Sequence, residues 1–101
     1  MDNKILYCIW KESFEFDDPC NSTSERPIFF TTDEEQFEKT WNEIKQKEIY
    51  HFNKFKEENV DPDYKEDYTV ETNTEDELEL YMGNWSYRWR KMNYEMNKLY
   101  I

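Results

Sequence analysis

The stretch of sequence that decides the predicted fold runs from Thr74 to Leu99 and reads TEDELELYMGNWSYRWRKMNYEMNKL. Its apolar residues recur at alternating intervals of four and three, the spacing that places side chains on one face of an α-helix. They are Leu78, Met82, Trp85, Trp89, Met92, Met96 and Leu99. Thr74, with Glu77 three residues later, has the form of a helix capping box. We therefore predict an amphipathic helix of about seven turns, in which Gly83 costs about 1 kcal/mol relative to alanine.

Strand-like segments precede this stretch. Lys4–Trp10, continued by Ser13–Phe16, is dense in β-branched and aromatic side chains, and Pro27–Thr31 has the same character. The polar residues 17–24 between them have turn chemistry, so we predict an antiparallel pair. Asp67–Thr72 alternates and predicts a third strand, at an edge of the sheet because its outward residues are charged.

A first helix is predicted between the second and third strands. The acids that follow Thr32 favour a helix start there, and Pro62 marks its end after about Glu58. Its apolar face is formed by residues at helical spacing, namely Phe37, Trp41, Ile44, His51 or Phe52, and Phe55. The predicted fold class is therefore α+β: a single domain over residues 1–101 in the order β-β-α-β-α, with a small antiparallel sheet of about three strands packed against two long helices.

Negative charge is concentrated in one short segment. The chain has a formal net charge of −11, and residues 57–79 contain eleven carboxylates against the single cation Lys65. Such a block repels itself in any compact state, so its presence indicates a positively charged partner. Residues 80–101 have the opposite balance, with four cations and one acid, Glu95.

Composition narrows the class of protein. Aromatic side chains make up 19% of the 101 residues, which predicts a folded domain with an aromatic core, since disordered chains are poor in aromatics. The apolar run from Ile5 to Trp10 is too short for a signal peptide, and no segment reaches the length of a membrane span. With only Cys8 and Cys20, we expect a cytoplasmic protein with no membrane association and with reduced thiols, the alternative being a disulfide that joins the two.

Catalytic, metal and cofactor sites are not expected. The only histidine, His51, lies within the first predicted helix beside its aromatic face, and no recognisable motif supplies it with a nucleophile. Cys8 is predicted to be a small core residue. The acidic segment lacks the glycine that a calcium-binding loop requires at its sharp turn. We therefore predict a protein that is not an enzyme and has no catalytic residue, no metal and no cofactor.

The run Trp85–Lys91 admits three interpretations. Aromatic side chains interleaved with cations are typical of surfaces for single-stranded nucleic acid, and the candidates are Trp85, Arg88, Trp89 and Arg90. The helical spacing instead places both tryptophans in the core, and the cations beside them can pair with the acidic segment of the same chain. Because the net negative charge also repels phosphate, we predict no direct nucleic-acid binding. Tyr87 and Tyr94 fall off the core face one heptad apart, which makes them candidate anchors of a protein interface.

The spacing of carboxylates along this segment is comparable with the spacing of phosphate charges along a nucleic-acid duplex. A duplex presents one phosphate charge per ≈ 1.7 Å of axis, whereas residues rise about 1.5 Å in a helix and about 3.3 Å in a strand. Acids at every second or third position thus form a row that the lysines and arginines of a nucleic-acid-binding protein can meet. The predicted partner-binding carboxylates are Asp61, Asp63, Glu66, Asp67, Glu71, Glu75, Asp76, Glu77 and Glu79.

In these acids, in its aromatic-rich core and in its lack of catalytic apparatus, the chain resembles the small acidic inhibitors encoded by bacteriophages and mobile elements, which include DNA mimics and many anti-CRISPR proteins. The resemblance implies an inhibitor of a basic nucleic-acid-binding host protein or complex, acting in the host cytoplasm. The basic run from Arg88 departs from a pure mimic, whose surface would be acidic throughout. The alternative is a toxin-neutralising or other stoichiometric interaction module anchored by exposed aromatics. A homodimer that hides part of the aromatic surplus is left open.

Overall fold

Residues 4–96, the part of the chain that this computed structural model describes, form a five-stranded antiparallel sheet with one long α-helix on one face. The strands are β1 (Ile5–Glu15), β2 (Thr23–Thr31), β3 (Tyr68–Asn73), β4 (Glu77–Met82) and β5 (Trp85–Glu95), and the helix is α1 (Glu34–Asn59). Two short 3₁₀ helices cover Pro19–Asn21 and Pro62–Asp67. The strands lie in the order β2-β1-β5-β4-β3, so β2 and β3 are the edges.

The predicted second helix is wrong, because β4 and β5 form a hairpin where it was expected. The three apolar residues of β4 pair with three aromatic residues of β5: Leu78 with Trp89, Leu80 with Tyr87, and Met82 with Trp85. Paired residues share one face of a sheet. Because Met82 pairs with Trp85 across the two-residue turn, the even-numbered residues of β4 and the odd-numbered residues of β5 lie on the same face. Four of the positions that fit a helical stripe therefore also fit one face of a hairpin. The described fold is α+β with five strands and one long helix, and the predicted helix from residue 97 onward lies outside the described residues.

Thr74 and Glu77 illustrate how one local signature serves two structures. Thr74 Oγ1 accepts hydrogen bonds from the backbone N–H groups of Asp76 and Glu77, at 3.3 and 3.2 Å. This is the chemistry of a helix cap, but here it closes the turn between β3 and β4. The capping signature therefore marked an element boundary and not a helix.

Gly83 and Asn84 form the turn of the β4–β5 hairpin. Gly83 has a φ of +66°, and glycine with positive φ at the first of two central residues is typical of type II′ turns. A β-carbon at Gly83 would lie 3.4 Å from Tyr68 Oη, at the limit of ordinary contact. Backbone conformation is therefore the main reason for glycine at this position.

We expect Gly83→Ala to lower the free energy of unfolding by about 1–2 kcal/mol, since an L-residue is disfavoured at positive φ. Urea denaturation followed by circular dichroism measures the loss. A synthetic chain with D-alanine at position 83 is the matched control, because its backbone favours positive φ, and it should lose much less. Equal losses in the two chains would show that space around the turn is the constraint.

The prediction of about three strands is wrong, because β4 and β5 add two strands to the sheet, and β2 begins at Thr23, within the segment predicted as a turn. The predicted positions of β1, α1 and β3 agree with the structure. β1 and β2 form the expected antiparallel pair, and β3 is the expected edge strand. The helix α1 has the expected extent, although Asp33 caps it in place of Thr32. Asp33 Oδ1 accepts hydrogen bonds from the N–H groups of Glu35 and Gln36 at 3.0 and 3.3 Å.

The core lies between α1 and one face of the sheet, which we call the covered face. The helix contributes Phe37, Trp41 and Phe52. The sheet contributes Ile9, Leu78, Leu80 and Trp89. His51 is exposed, so Phe52 is the core residue of the two alternatives considered. The opposite face carries no helix in residues 4–96, and we call it the open face. Neither α1 nor the shorter helical turns combine the length and apolar character needed to cross a membrane.

Candidate partner-binding surface

Seven exposed carboxylates line the β3 edge of the sheet and the turns at both ends of that strand. We call them the acidic edge: Asp61, Asp63, Glu66, Asp67, Glu71, Glu75 and Asp76. The Pro62–Asp67 turn supplies acids before β3, Glu71 lies within the strand, and Glu75 and Asp76 lie in the turn to β4. Seven of the nine predicted carboxylates thus lie exposed on the edge strand β3 or in the turns that flank it.

Hydrogen bonds attach the acidic edge to the rest of the fold at both ends. Asp61 Oδ1 accepts from Asp63 N at 2.9 Å and caps the Pro62–Asp67 turn. The N–H of Gly83 donates to the carbonyl of Asp67 at 3.1 Å. At the other end, Lys45 Nζ donates to the carbonyl of Thr74 at 2.6 Å. The acids are therefore displayed on an ordered framework, which a row of binding charges requires.

The two remaining predicted carboxylates, Glu77 and Glu79, lie on β4 and are half-buried. Glu77 Oε1 is 3.4 Å from Arg88 Nε, and Glu79 lies opposite Arg88 in the β4–β5 ladder. Within residues 4–96, Glu77 is the only one of the nine that forms an ion pair with a cation. None of the seven carboxylates of the acidic edge therefore forms an ion pair within the described part of the chain.

The basic run of β5 is neutralised mainly by acids outside the acidic edge. Arg90 binds Glu25 through two hydrogen bonds, from Nε at 2.8 Å and from Nη2 at 2.5 Å. The hydrogen bond to Glu25 raises the pKa of Arg90 above its ordinary value. Lys91 Nζ donates to Glu38 Oε1 at 2.7 Å.

Arg88 lies among three carboxylates on the open face. Its Nε is 3.0 Å from Glu12 Oε1, an ion pair without the angle of a hydrogen bond. Its Nη2 is 3.9 Å from Glu25 Oε2, and Glu77 is its third acidic neighbour. The basic run therefore presents no unpaired cationic patch among the described residues.

Tyr87 and Tyr94 lie on opposite faces of the sheet. Successive side chains of a strand point to opposite faces, so two residues separated by an odd number of positions do so as well. Tyr87 is on the covered face, where its ring stacks with Trp85 and Trp89 at centroid distances of 5.8 and 6.4 Å. Burial, and to a lesser extent the charge of Glu15, raises the pKa of Tyr87. Tyr94 is on the open face. One partner bound to a single face therefore contacts only one of these tyrosines.

The aromatic and cationic residues proposed as a nucleic-acid surface are also separated. Trp85 and Trp89 belong to the covered face, whereas Arg88 and Arg90 project from the open face. Bases stacked on the tryptophans would be out of reach of these arginines. This geometry disfavours the single-strand-binding interpretation of the run.

A surface that the sequence analysis missed is an apolar groove on the open face. The groove has a volume of about 470 Å³ and is lined by Leu6, Cys8, Trp10, Pro27, Phe30 and Tyr94. Phe30 is 68% exposed, the highest value among the exposed large hydrophobic side chains of the described chain. The alternation of Leu6, Cys8 and Trp10 in β1 was the available signal, but it does not reveal which face a helix covers.

The two thiols are free and differ in environment. Cys8 is 5% exposed at the base of the groove, and burial raises the pKa of its thiol. Cys20 is exposed in the Pro19–Asn21 turn. Cys8 is buried as predicted, although it lies on the open face and not beneath α1.

We expect a thiol reagent such as iodoacetamide to label Cys20 at least about tenfold faster than Cys8, since reaction requires an accessible thiolate. Peptide mass spectrometry at successive times measures both rates in the native protein. In denaturant the two rates should converge. Comparable rates in the native state would show that the groove opens readily around Cys8.

The described residues hold no arrangement of three or more His, Cys, Asp or Glu side chains that could bind a metal ion. His51 is exposed, and its ring meets Tyr50 edge-on at 5.6 Å. A cavity of about 230 Å³ lies between α1 and the covered face, and its lining is apolar apart from Lys11, Glu48, His51 and the Tyr87 hydroxyl.

No protein-family model, curated protein or solved structure matches this chain. The charge, exposure and contacts of its own residues are therefore the only guide to its function.

Proposed function

We propose that this chain is a non-enzymatic acidic binding protein that inhibits a basic nucleic-acid-binding protein by occupying its nucleic-acid surface. A phage-encoded inhibitor of a host defence complex, of the anti-CRISPR or DNA-mimic type, is the class that fits this chemistry. The observation that carries the proposal is the acidic edge: seven exposed carboxylates on an ordered strand and its turns, with no ion pair to any described cation.

The acidic edge presents most of its carboxylates in two groups at the ends of β3. The strand has six residues, spans about 20 Å and contains one of the seven carboxylates, Glu71. The others lie in the turns before and after it, whereas duplex DNA carries about twelve phosphate charges over the same length. The charge is sparser than that of a duplex, but lysines and arginines that bind separated phosphates can still meet several carboxylates at once, and long-range attraction speeds their encounter.

Internal pairing of the basic run also supports the proposal. A cationic partner approaching the acidic edge would be repelled by unpaired arginines, but Arg88 and Arg90 are held by Glu12 and Glu25 on the open face. The sheet thus separates a neutralised charge cluster from an edge whose seven carboxylates form no ion pair with a described cation.

The alternative function, a stoichiometric interaction module anchored by aromatics, has one supporting observation. Phe30 is exposed beside Tyr94 in the apolar groove. Salt dependence separates the two functions, because ion-pair binding weakens steeply with ionic strength and apolar docking does not.

Affinity capture with salt elution tests the proposal. The immobilised chain is incubated with lysate of its native host at low salt, and bound proteins are eluted by a salt gradient and assayed for duplex binding. We expect a protein that elutes within the gradient, binds duplex DNA or RNA, and is not captured by a chain whose acidic edge is neutralised. Capture that resists high salt and ignores the neutralisation would refute the proposal.

A further inference from the structure

The open face of the sheet is apolar on the side of β1 and β2. The groove lies there, and Cys8 pairs across the ladders with Phe30 of β2 and Met92 of β5. An antiparallel sheet can leave one face in water when that face is polar. This half of the open face is instead built from apolar side chains, with Phe30 largely exposed, which is the composition of a surface that another protein covers.

Elsewhere on the open face, ion pairs within the chain neutralise most of the charges, although Glu79 forms none with a described cation. Glu12 and Glu25 are bound by Arg88 and Arg90. This face therefore offers little attraction to a cationic partner, in contrast to the acidic edge. An apolar surface bordered by neutralised charge matches another apolar surface better than it matches a cationic one. A second copy of this chain supplies such an apolar surface.

The position of the groove removes the main electrostatic objection to self-association. Each chain carries a net charge of −11. However, the acidic edge lies along β3, whereas the groove lies at β1 and β2, near the opposite edge of the sheet. Two copies joined through their grooves can keep their acidic edges on the outside. The remaining repulsion acts at distances where salt screens it.

The part of the open face on β1, β2 and β5 is large enough for a weak, reversible interface. These strands have 11, 9 and 11 residues, and at about 3.3 Å per residue and about 4.8 Å between strands they cover roughly 500 Å². Two such surfaces bury about 1,000 Å², the size of a transient protein contact. The acidic edge on β3 stays outside this area.

From these observations we infer that the open face is a homodimer interface, in which the grooves of two copies pack against each other around Phe30. The inference does not depend on the proposed function, because the acidic edge remains outside the interface. A dimer would present two acidic edges to its surroundings.

Sedimentation equilibrium of the full chain tests the inference. The mass should rise from 12.7 kDa toward twice that value between micromolar and submillimolar concentration. Added sodium chloride should leave the dissociation constant unchanged or lower it, since salt screens repulsion between the acidic edges. A chain that stays monomeric throughout, or dimerisation that falls steeply with salt, would overturn the inference.

Two single substitutions test the location of the interface. Phe30→Glu places a carboxylate in the groove and should weaken dimerisation at least about tenfold. Tyr50→Glu is the matched control, because Tyr50 is 61% exposed on α1, and it should leave dimerisation unchanged. Phe30→Ala should give a smaller loss than Phe30→Glu, and circular dichroism with urea unfolding verifies that each variant is folded. Dimerisation as strong in Phe30→Glu as in the wild type would contradict an interface at the groove.

Discussion

Replacing the seven acids of the acidic edge by asparagine or glutamine is expected to abolish binding to a basic partner while the fold survives. If each carboxylate contributes about 1 kcal/mol through close charge pairing, the seven together account for most of the ≈ 8 kcal/mol of a micromolar complex. The changes also remove repulsion between neighbouring acids, so the melting temperature should stay the same or rise. Asp61→Asn preserves the cap of the Pro62–Asp67 turn, because asparagine also accepts from the backbone N–H.

A matched pair of triple variants separates location from total charge. The first variant has glutamine in place of Glu66, Glu71 and Glu75 and lacks three charges of the acidic edge. The second has glutamine in place of Glu35, Glu43 and Glu48 and lacks three charges of α1. Titration calorimetry with the captured partner should show a loss of about a hundredfold for the first variant, at about 1 kcal/mol per charge, and little change for the second. Similar losses in both would mean that overall charge, and not this edge, determines binding.

Trp41→Ala is expected to produce the largest loss of stability of any single substitution considered for this chain. Trp41 is 1% exposed in the centre of the core, and truncation of a buried tryptophan costs about 3–5 kcal/mol. A domain of this size is stable by about 5–15 kcal/mol, so the variant should lose a large fraction of its stability. Urea denaturation followed by circular dichroism measures the change.

Trp41→Phe is the informative control for this position. Trp41 Nε1 is buried without a hydrogen-bond partner in the described structure, so phenylalanine removes an unsatisfied donor while it keeps an aromatic ring in place. We expect the phenylalanine variant to lose less than half as much as the alanine variant. A loss under about 1 kcal/mol for Trp41→Ala would show that α1 is not packed on the sheet as described.

The sequence predicts the first half of the fold well because its local signals agree with each other. β1, β2 and α1 each combine suitable composition with a boundary residue, such as Asp33 at the helix start. The second half fails because Leu78, Met82, Trp85 and Trp89 satisfy a helical stripe and a hairpin face equally. The dipeptide Gly83-Asn84 between alternating apolar residues was the signal for the hairpin.

The candidate surface is only partly predictable for a different reason. The acids of the acidic edge are close in sequence, so their proximity in space follows from the chain itself. The acids that neutralise the basic run are remote in sequence: Glu25 and Arg90 are 65 residues apart, and Glu38 and Lys91 are 53 apart. Such pairs depend on strand order, which cannot be predicted from a pattern that favours a helix in place of β4 and β5. The groove likewise depends on which face α1 covers.

Competition between this chain and duplex nucleic acid for the same partner is the most direct measurement of inhibition by the acidic edge. Fluorescence anisotropy follows a labelled duplex bound to the captured partner while the chain is added. We expect full displacement, with a midpoint that rises in proportion to the partner concentration and with no displacement by the chain lacking the seven acids. A ternary complex that retains the duplex at saturating wild-type chain would contradict binding at the nucleic-acid surface.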